Sequence, residues 1–158
     1  MITITLTTKI NRPLERVFAY TTNRADLSHW FAGVQKAEQE KPNGIGARAT
    51  ITARLLWLTL SFTSEIVGYE LNHTFAVKAD KPFPLVESET FTRQGSSTRI
   101  DYQGNFDTSG FFRIMDPLIH WLFKRQLATS FRKLKDALES EHDLALEDAS
   151  LAVQSEKQ

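Results

Sequence analysis

The chain has no cysteine in its 158 residues, which excludes disulfide scaffolds, thiolate metal sites and thiol nucleophiles. It also has no excess of either charge. Its 19 Lys and Arg balance 19 Asp and Glu, so composition supplies no electrostatic footprint for nucleic acid. No apolar run reaches the roughly 20 residues of a membrane span. The amino terminus, Met1-Ile2-Thr3-Ile4-Thr5-Leu6-Thr7, lacks the basic head and apolar block of a signal peptide; it alternates at period two and reads as a strand, and the expected location is cytoplasmic. His29, His73, His120 and His142 show no HExxH or comparable ligand spacing, so no protein-bound metal is expected. Gly44-Ile45-Gly46 lacks the third glycine and the following helix of a dinucleotide loop, and no nucleophile elbow frames a serine. No cofactor is expected.

What the chain does have is apolar loops. Six strand-like segments follow one another from about Gly33 to Asp107, and connections in such a meander alternate between the two ends of the sheet. One end collects Pro42-Asn43-Gly44, Glu70-Leu71-Asn72-His73 and Gly95-Ser96, which is polar turn chemistry. The other collects Leu55-Leu56-Trp57-Leu58, Pro82-Phe83-Pro84 and Gly110-Phe111-Phe112. Loops are ordinarily solvated, so three apolar tips at one end predict a greasy rim around an opening or a docking surface. Trp57, Phe83, Phe111 and Phe112 are its entrance or interface candidates.

The remaining elements follow from periodicity. Pro13 suits a first helical turn, and Leu14, Val17 and Phe18 recur at helical spacing. Asp26 to Trp30 adds a second short helix. Residues 46 to 68 carry no Gly or Pro between their terminal glycines yet are too many for one strand of about 5 to 6 residues, so a turn is placed at Arg54 to Leu58. Leu60, Phe62, Ser64 and Ile66 then share one face, and Phe75 and Val77 continue the inward pattern. Asp116-Pro117 opens a long helix whose stripe is Ile119, Phe123, Leu127, Phe131, Leu134 and Leu138. Past Ser140 the chain turns acidic and weakly patterned. The expected division is a domain over 1–141 and a mobile tail over 142–158.

The sequence resembles the START-like (SRPBCC) superfamily, which includes lipid-transfer domains and polyketide cyclases. The residues carrying the resemblance are Ile10 through Phe18, Trp30, Gly46, Phe91 to Tyr102 and Leu118 through Leu138. It implies an α+β helix-grip fold: a curved seven-stranded antiparallel sheet wrapped around a long C-terminal helix, with two short helices after strand 1 and an apolar cavity between sheet and helix. Members bind hydrophobic small molecules, and a minority catalyse cyclisation or dehydration.

Leu85-Val86-Glu87-Ser88-Glu89-Thr90-Phe91 holds the sharpest local question. If Leu85 and Phe91 face inward, the pleat carries Glu87 and Glu89 inward with them. In the opposite phase Val86 faces inward and both acids are solvated, or paired with Arg93 or Arg99. A two-residue turn at Gly95-Ser96 would oppose Phe91 to Ile100, Glu89 to Tyr102 and Glu87 to Gly104. A carboxyl group beside a phenol in an apolar pocket is desolvated, which raises its pKa and makes it a proton donor or acceptor for an enolisable carbonyl, so Glu87, Glu89 and Tyr102 are the catalytic candidates. Phe62, Phe75, Phe91, Tyr102, Ile119 and Phe123 are the ligand-binding candidates.

Three functions are expected in order. The first is binding or transport of a lipid, isoprenoid or polyketide-like molecule in a cavity of about 300 to 1,000 Å³. The second is a polyketide cyclase/dehydratase-like enzyme. The third is an interaction or homodimerisation module using the aromatic end, with peripheral membrane contact as a further use of the same rim.

Overall fold

A computed structural model describes the backbone of residues 1–155 and the side chains of 1–110, 113–141 and 152–153. The chain runs β1 (Ile2–Ile10), α1 (Leu14–Thr22), a first 3₁₀ turn (Arg24–Asp26), α2 (Leu27–Trp30), β2 (Val34–Gln39), β3 (Arg48–Leu55), β4 (Leu58–Glu70), β5 (Thr74–Ala79), β6 (Leu85–Gln94), β7 (Ser97–Phe106), a second 3₁₀ turn (Gly110–Met115) and α3 (Asp116–Ser155). The strands form one antiparallel sheet in the order β1-β7-β6-β5-β4-β3-β2. β1 therefore returns beside the last strand, and the two short helices bridge to the far edge.

Parity of apolar residues sets which face is buried. Ile2, Ile4 and Ile10 of β1, Phe75 and Val77 of β5, and Ile100, Tyr102 and Phe106 of β7 all point into one core. In α1, Leu14, Val17, Phe18 and Thr21 are buried at helical spacing behind Pro13, which sits at the N-cap. The stretch without Gly or Pro breaks where the length argument places it, with Leu55 opposite Leu58 and only Leu56 and Trp57 between them. Leu56 adopts φ 56°, a left-handed conformation unusual for a side chain of its size.

The stripe of α3 packs on the concave face, with Ile119, Leu127, Phe131, Leu134 and Leu138 all buried. Each such side chain contributes roughly 1.5–3 kcal/mol by leaving water. Arg12 Nε donates to Leu138 O at 2.7 Å and Lys135 Nζ to Lys9 O at 2.7 Å, which clips the helix to the β1–α1 corner. Ser130 Oγ accepts from Ala32 N at 2.9 Å and donates to Gln126 O at 2.7 Å, and Gln126 Nε2 donates to Ala32 O. These bonds fix the α2–β2 loop against the helix. The helical backbone continues to Ser155, past residue 141, where the sequence suggests the domain ends.

The space between sheet and α3 is filled unevenly. Toward the Gly95 turn, Phe18 meets Phe91 edge-on at 5.0 Å and Tyr69 at 5.7 Å. Ile10, Ile100, Leu134 and Leu138 close that half completely. Toward the apolar loops, Phe83, Phe106 and Phe123 form an aromatic triangle with centroids 5.0 to 6.2 Å apart, and a cavity lies beside it.

Candidate functional site

The cavity measures about 110 Å³ and is walled largely by apolar residues of β3 to β6, α2 and α3, among them Leu27, Ile51, Phe62, Val77 and Phe123. This is smaller than the several hundred Å³ expected from the sequence and near the ~150 Å³ of an engineered cavity that holds benzene. Its polar lining is Arg24, Arg54, Ser64, Glu87 and Gln126, of which Arg24 and Glu87 make a charged floor beside the buried Ser64 hydroxyl, itself without a partner among the described residues. Behind it lies a gap of about 20 Å³ bordered by Thr21, Arg24, Trp30, Glu87 and Glu89, which is room for about one water-sized group.

β6 carries both acids inward. Val86 is 46 % exposed while Glu89 is 9 % exposed and Phe91 is buried, so the inward phase holds. The register opposes Phe91 to Ile100, Glu89 to Tyr102 and Glu87 to Gly104, the pairs expected from a two-residue turn. The phenol does not bond its direct neighbour. Tyr102 Oη donates to Glu87 Oε1 at 2.8 Å, reaching one pleat along the sheet. Gly104 makes this possible, because a Cβ there would lie 2.6 Å from Tyr102 Oη and 2.8 Å from Phe106 Cε2.

Arg24 enters this cluster from the first 3₁₀ turn and is 6 % exposed. Its guanidinium lies 5.2 Å from the Phe75 ring centroid, a favourable cation–π placement. Arg24 Nε and Nη2, Glu89 Oε2, Thr21 Oγ1 and Trp30 Nε1 are buried with no hydrogen-bond partner among the described residues. Buried polar atoms are normally paired, so these unmet donors and acceptors single the cluster out as the candidate site.

Burial governs the charges. It pushes the Glu89 carboxyl up to about 8, aided by the neighbouring Glu87 and opposed by Arg24. Glu87 is also raised by burial, against the lowering effects of the Tyr102 hydrogen bond and of Arg24. Burial raises Tyr102 well above the usual phenol range and lowers Arg24, which the two glutamates partly restore. At neutral pH Glu89 is therefore mostly a neutral acid, able to donate a hydrogen bond rather than only accept one.

Of the predicted ligand-binding residues, Phe62 and Phe123 line the cavity, Phe75 borders the rear gap and Tyr102 borders a narrow space of about 10 Å³ shared with Phe123 and Glu87. Phe91 does not line the cavity, because α1 packs Phe18 directly over it. Ile119 likewise sits in the packed core. Trp57, at the β3–β4 tip beside the cavity-lining Leu55, is 85 % exposed and does not itself line the cavity. Phe83, expected at the entrance, is buried in the aromatic triangle and lines the cavity from within. The side chains of Phe111 and Phe112 lie outside the described residues. Arg24 is the functional candidate missed in the sequence. Its one signal is the spacing of Thr21, Arg24, Leu27 and Trp30, every third residue along one buried side of the helical connection.

Among the described residues no cluster of three or more His, Asp or Glu side chains is arranged to hold a metal ion. None of their helices is long and apolar enough to cross a membrane.

A curved antiparallel sheet gripping a long C-terminal helix, with short helices after the first strand, is the α+β helix-grip fold. The chain belongs to the family described as polyketide cyclase / dehydrase and lipid transport, whose model matches residues 1–139. No match was found among curated proteins. Similar solved structures include the protein TTHA0849 from Thermus thermophilus (TM-score 0.76, 14 % identity, 89 % of this chain and 99 % of that one). A START superfamily protein from Mycobacterium smegmatis aligns with TM-score 0.71 at 9 % identity, over 87 % of this chain and 97 % of that one. The di-domain ARO/CYC BexL, from the BE-7585A biosynthetic pathway, aligns with TM-score 0.69 at 12 % identity, over 87 % of this chain and 50 % of its own. At these identities the likeness establishes the fold alone.

Proposed function

We propose that the protein binds a hydrophobic small molecule in the cavity between sheet and α3, with a single oxygen-bearing group of that molecule held at Arg24 and Glu87. The observation that carries this reading is the apolar cavity ending on a buried guanidinium with two unmet donor nitrogens. Apolar walls supply affinity by burial, while the charged floor selects orientation. A ligand hydroxyl can accept from Arg24 and donate to Glu87; a carbonyl can accept from Arg24. The volume suits a ring-sized fragment, so a lipid, isoprenoid or polyketide-like ligand enters only by displacing half-buried wall residues such as Phe62 and Phe123.

Native mass spectrometry of gently purified protein, followed by solvent extraction, tests this. A stoichiometric apolar compound bearing one polar oxygen supports it, and Arg24→Met should lower its occupancy. A protein that remains empty when challenged with hydrophobic probes of graded size sinks it.

A second reading, cyclase- or dehydratase-like proton transfer, is favoured by the pairing of a largely neutral Glu89 with a Glu87 hydrogen-bonded to Tyr102. Two acids poised differently within one pocket can give and take protons at an enolisable carbonyl. Unchanged turnover of an identified substrate by Glu89→Gln and Tyr102→Phe would exclude that chemistry.

A further inference from the structure

The N-terminal part of α3 and the turn before it carry a second apolar stripe, on the side opposite the core. Ile114, Leu118 and Trp121 recur at spacings of four and three, with Met115 beside them, and all four are exposed, Ile114 by 86 % and Trp121 by 54 %. The β3–β4 tip adds exposed Leu56, Trp57 and Leu58. Both features belong to one end of the molecule. Arg54 and Leu55 at the root of the tip line the same cavity as Phe123 and Gln126, which follow the stripe on α3. Single exposed apolar residues are ordinary, but seven with two tryptophans at one end of the molecule are not.

The charges at this end are uneven although the chain as a whole is neutral. Arg113, Lys124 and Arg125 flank the stripe against half-buried Asp116, and the adjoining loops bring Arg54 and Lys81 against Asp80 and Asp107. Arg125 holds its guanidinium 5.5 Å from the Trp121 ring centroid. A second copy meeting this face through a two-fold axis would set cations against cations. An anionic surface would complement them.

We propose that this end of the molecule docks peripherally on an anionic lipid surface, with Trp57, Ile114, Leu118 and Trp121 in the headgroup region and the arginines and Lys124 against lipid phosphates and carboxylates. An apolar helical face carrying Trp and Leu, bordered by Lys and Arg, is the composition that lies in a bilayer interface. The inference goes beyond the cavity reading and does not depend on it.

The test is co-sedimentation with phosphatidylcholine vesicles, with and without one-third phosphatidylserine, at low and high salt. Tryptophan quenching by bromine-labelled lipid is measured in parallel. The expected result is binding to serine-lipid vesicles that weakens with salt and quenches Trp57 and Trp121. A Trp57→Phe/Trp121→Phe protein reports only Trp30, which is 2 % exposed, and should stay unquenched while still sedimenting. Arg113→Gln and Lys124→Gln should each weaken binding about fivefold, and Trp57→Ser about tenfold. Failure to sediment with anionic vesicles overturns the proposal, as does binding without quenching of Trp57 and Trp121. A dimer in light scattering that Trp57→Ser dissociates, with no vesicle binding, would assign the face to a second copy. Ligand occupancy measured without vesicles reports on the cavity alone, so either reading can fail by itself.

Discussion

The two halves of the space between sheet and α3 are built from the same elements yet do opposite things. Near the Gly95 turn, Phe18, Phe91, Ile100, Leu134 and Leu138 fill it with almost no surface left. Near the apolar loops, Leu60, Phe62, Leu85 and Phe123 remain partly accessible around a cavity. The boundary between the halves is the charged cluster of Arg24, Glu87, Glu89 and Tyr102. One half holds the helix to the sheet, and that attachment allows the other to stay underpacked and to bury polar groups that a continuous core would not tolerate.

Cutting the same residue type from each half gives the largest expected contrast. Phe91→Ala should cost about 3–5 kcal/mol, because its neighbours on α1 and β7 cannot collapse into the hole. Phe62→Ala, whose side chain already borders open space, should cost less than half of that. Urea denaturation of the two variants compares them directly, and equal losses would mean that the halves are not energetically distinct.

The boundary makes its own prediction in pH. The folded Glu89 carboxyl sits at about 8 against a reference value of 4.5. Between those values the folded chain keeps a proton that the unfolded chain releases, so stability falls as pH rises, by about 1.4 kcal/mol per pH unit for this one group. Below 4.5 both states are protonated and the group contributes no slope; above about 8 both are ionised and the loss is complete. Glu89→Gln mimics the neutral acid and should flatten that slope, making the variant more stable than the parent near pH 8. Parallel stability–pH curves for the two proteins would show that Glu89 is not held neutral.

What could be seen in the sequence of this contrast follows from how local each cause is. The inward phase of Glu87 and Glu89 was legible because Leu85 and Phe91 share their parity, and the register because Gly95-Ser96 sets the turn. The exposure of Trp57 was legible because loop composition reports directly on it. Phe83 was misplaced because its burial depends on Phe106 and Phe123, which approach only when the sheet curls around the helix. Arg24 was invisible for the same reason: an arginine in a polar connection reads as solvated until the fold places that connection beneath β5 and β6. The outer stripe of α3 was masked by the stronger inner one, since a single helix can satisfy two apolar periodicities at once.

The smallest effect sharpens the boundary most finely. Gly104 lies extended on β7, so its role is space rather than backbone freedom. An alanine would press on Tyr102 Oη and on the Phe106 ring, and a cost of about 1–3 kcal/mol is expected from overpacking. Part of that cost belongs to the hydroxyl alone. In a Tyr102→Phe background the Phe106 contact persists while the clash with Oη and the bond to Glu87 are gone, so Gly104→Ala should be milder there by about 0.5–1 kcal/mol. A double-mutant cycle measured by denaturation isolates this coupling. A coupling of zero would mean that the phenol reaches Glu87 without needing the glycine, and that the missing side chain at 104 serves the aromatic triangle instead.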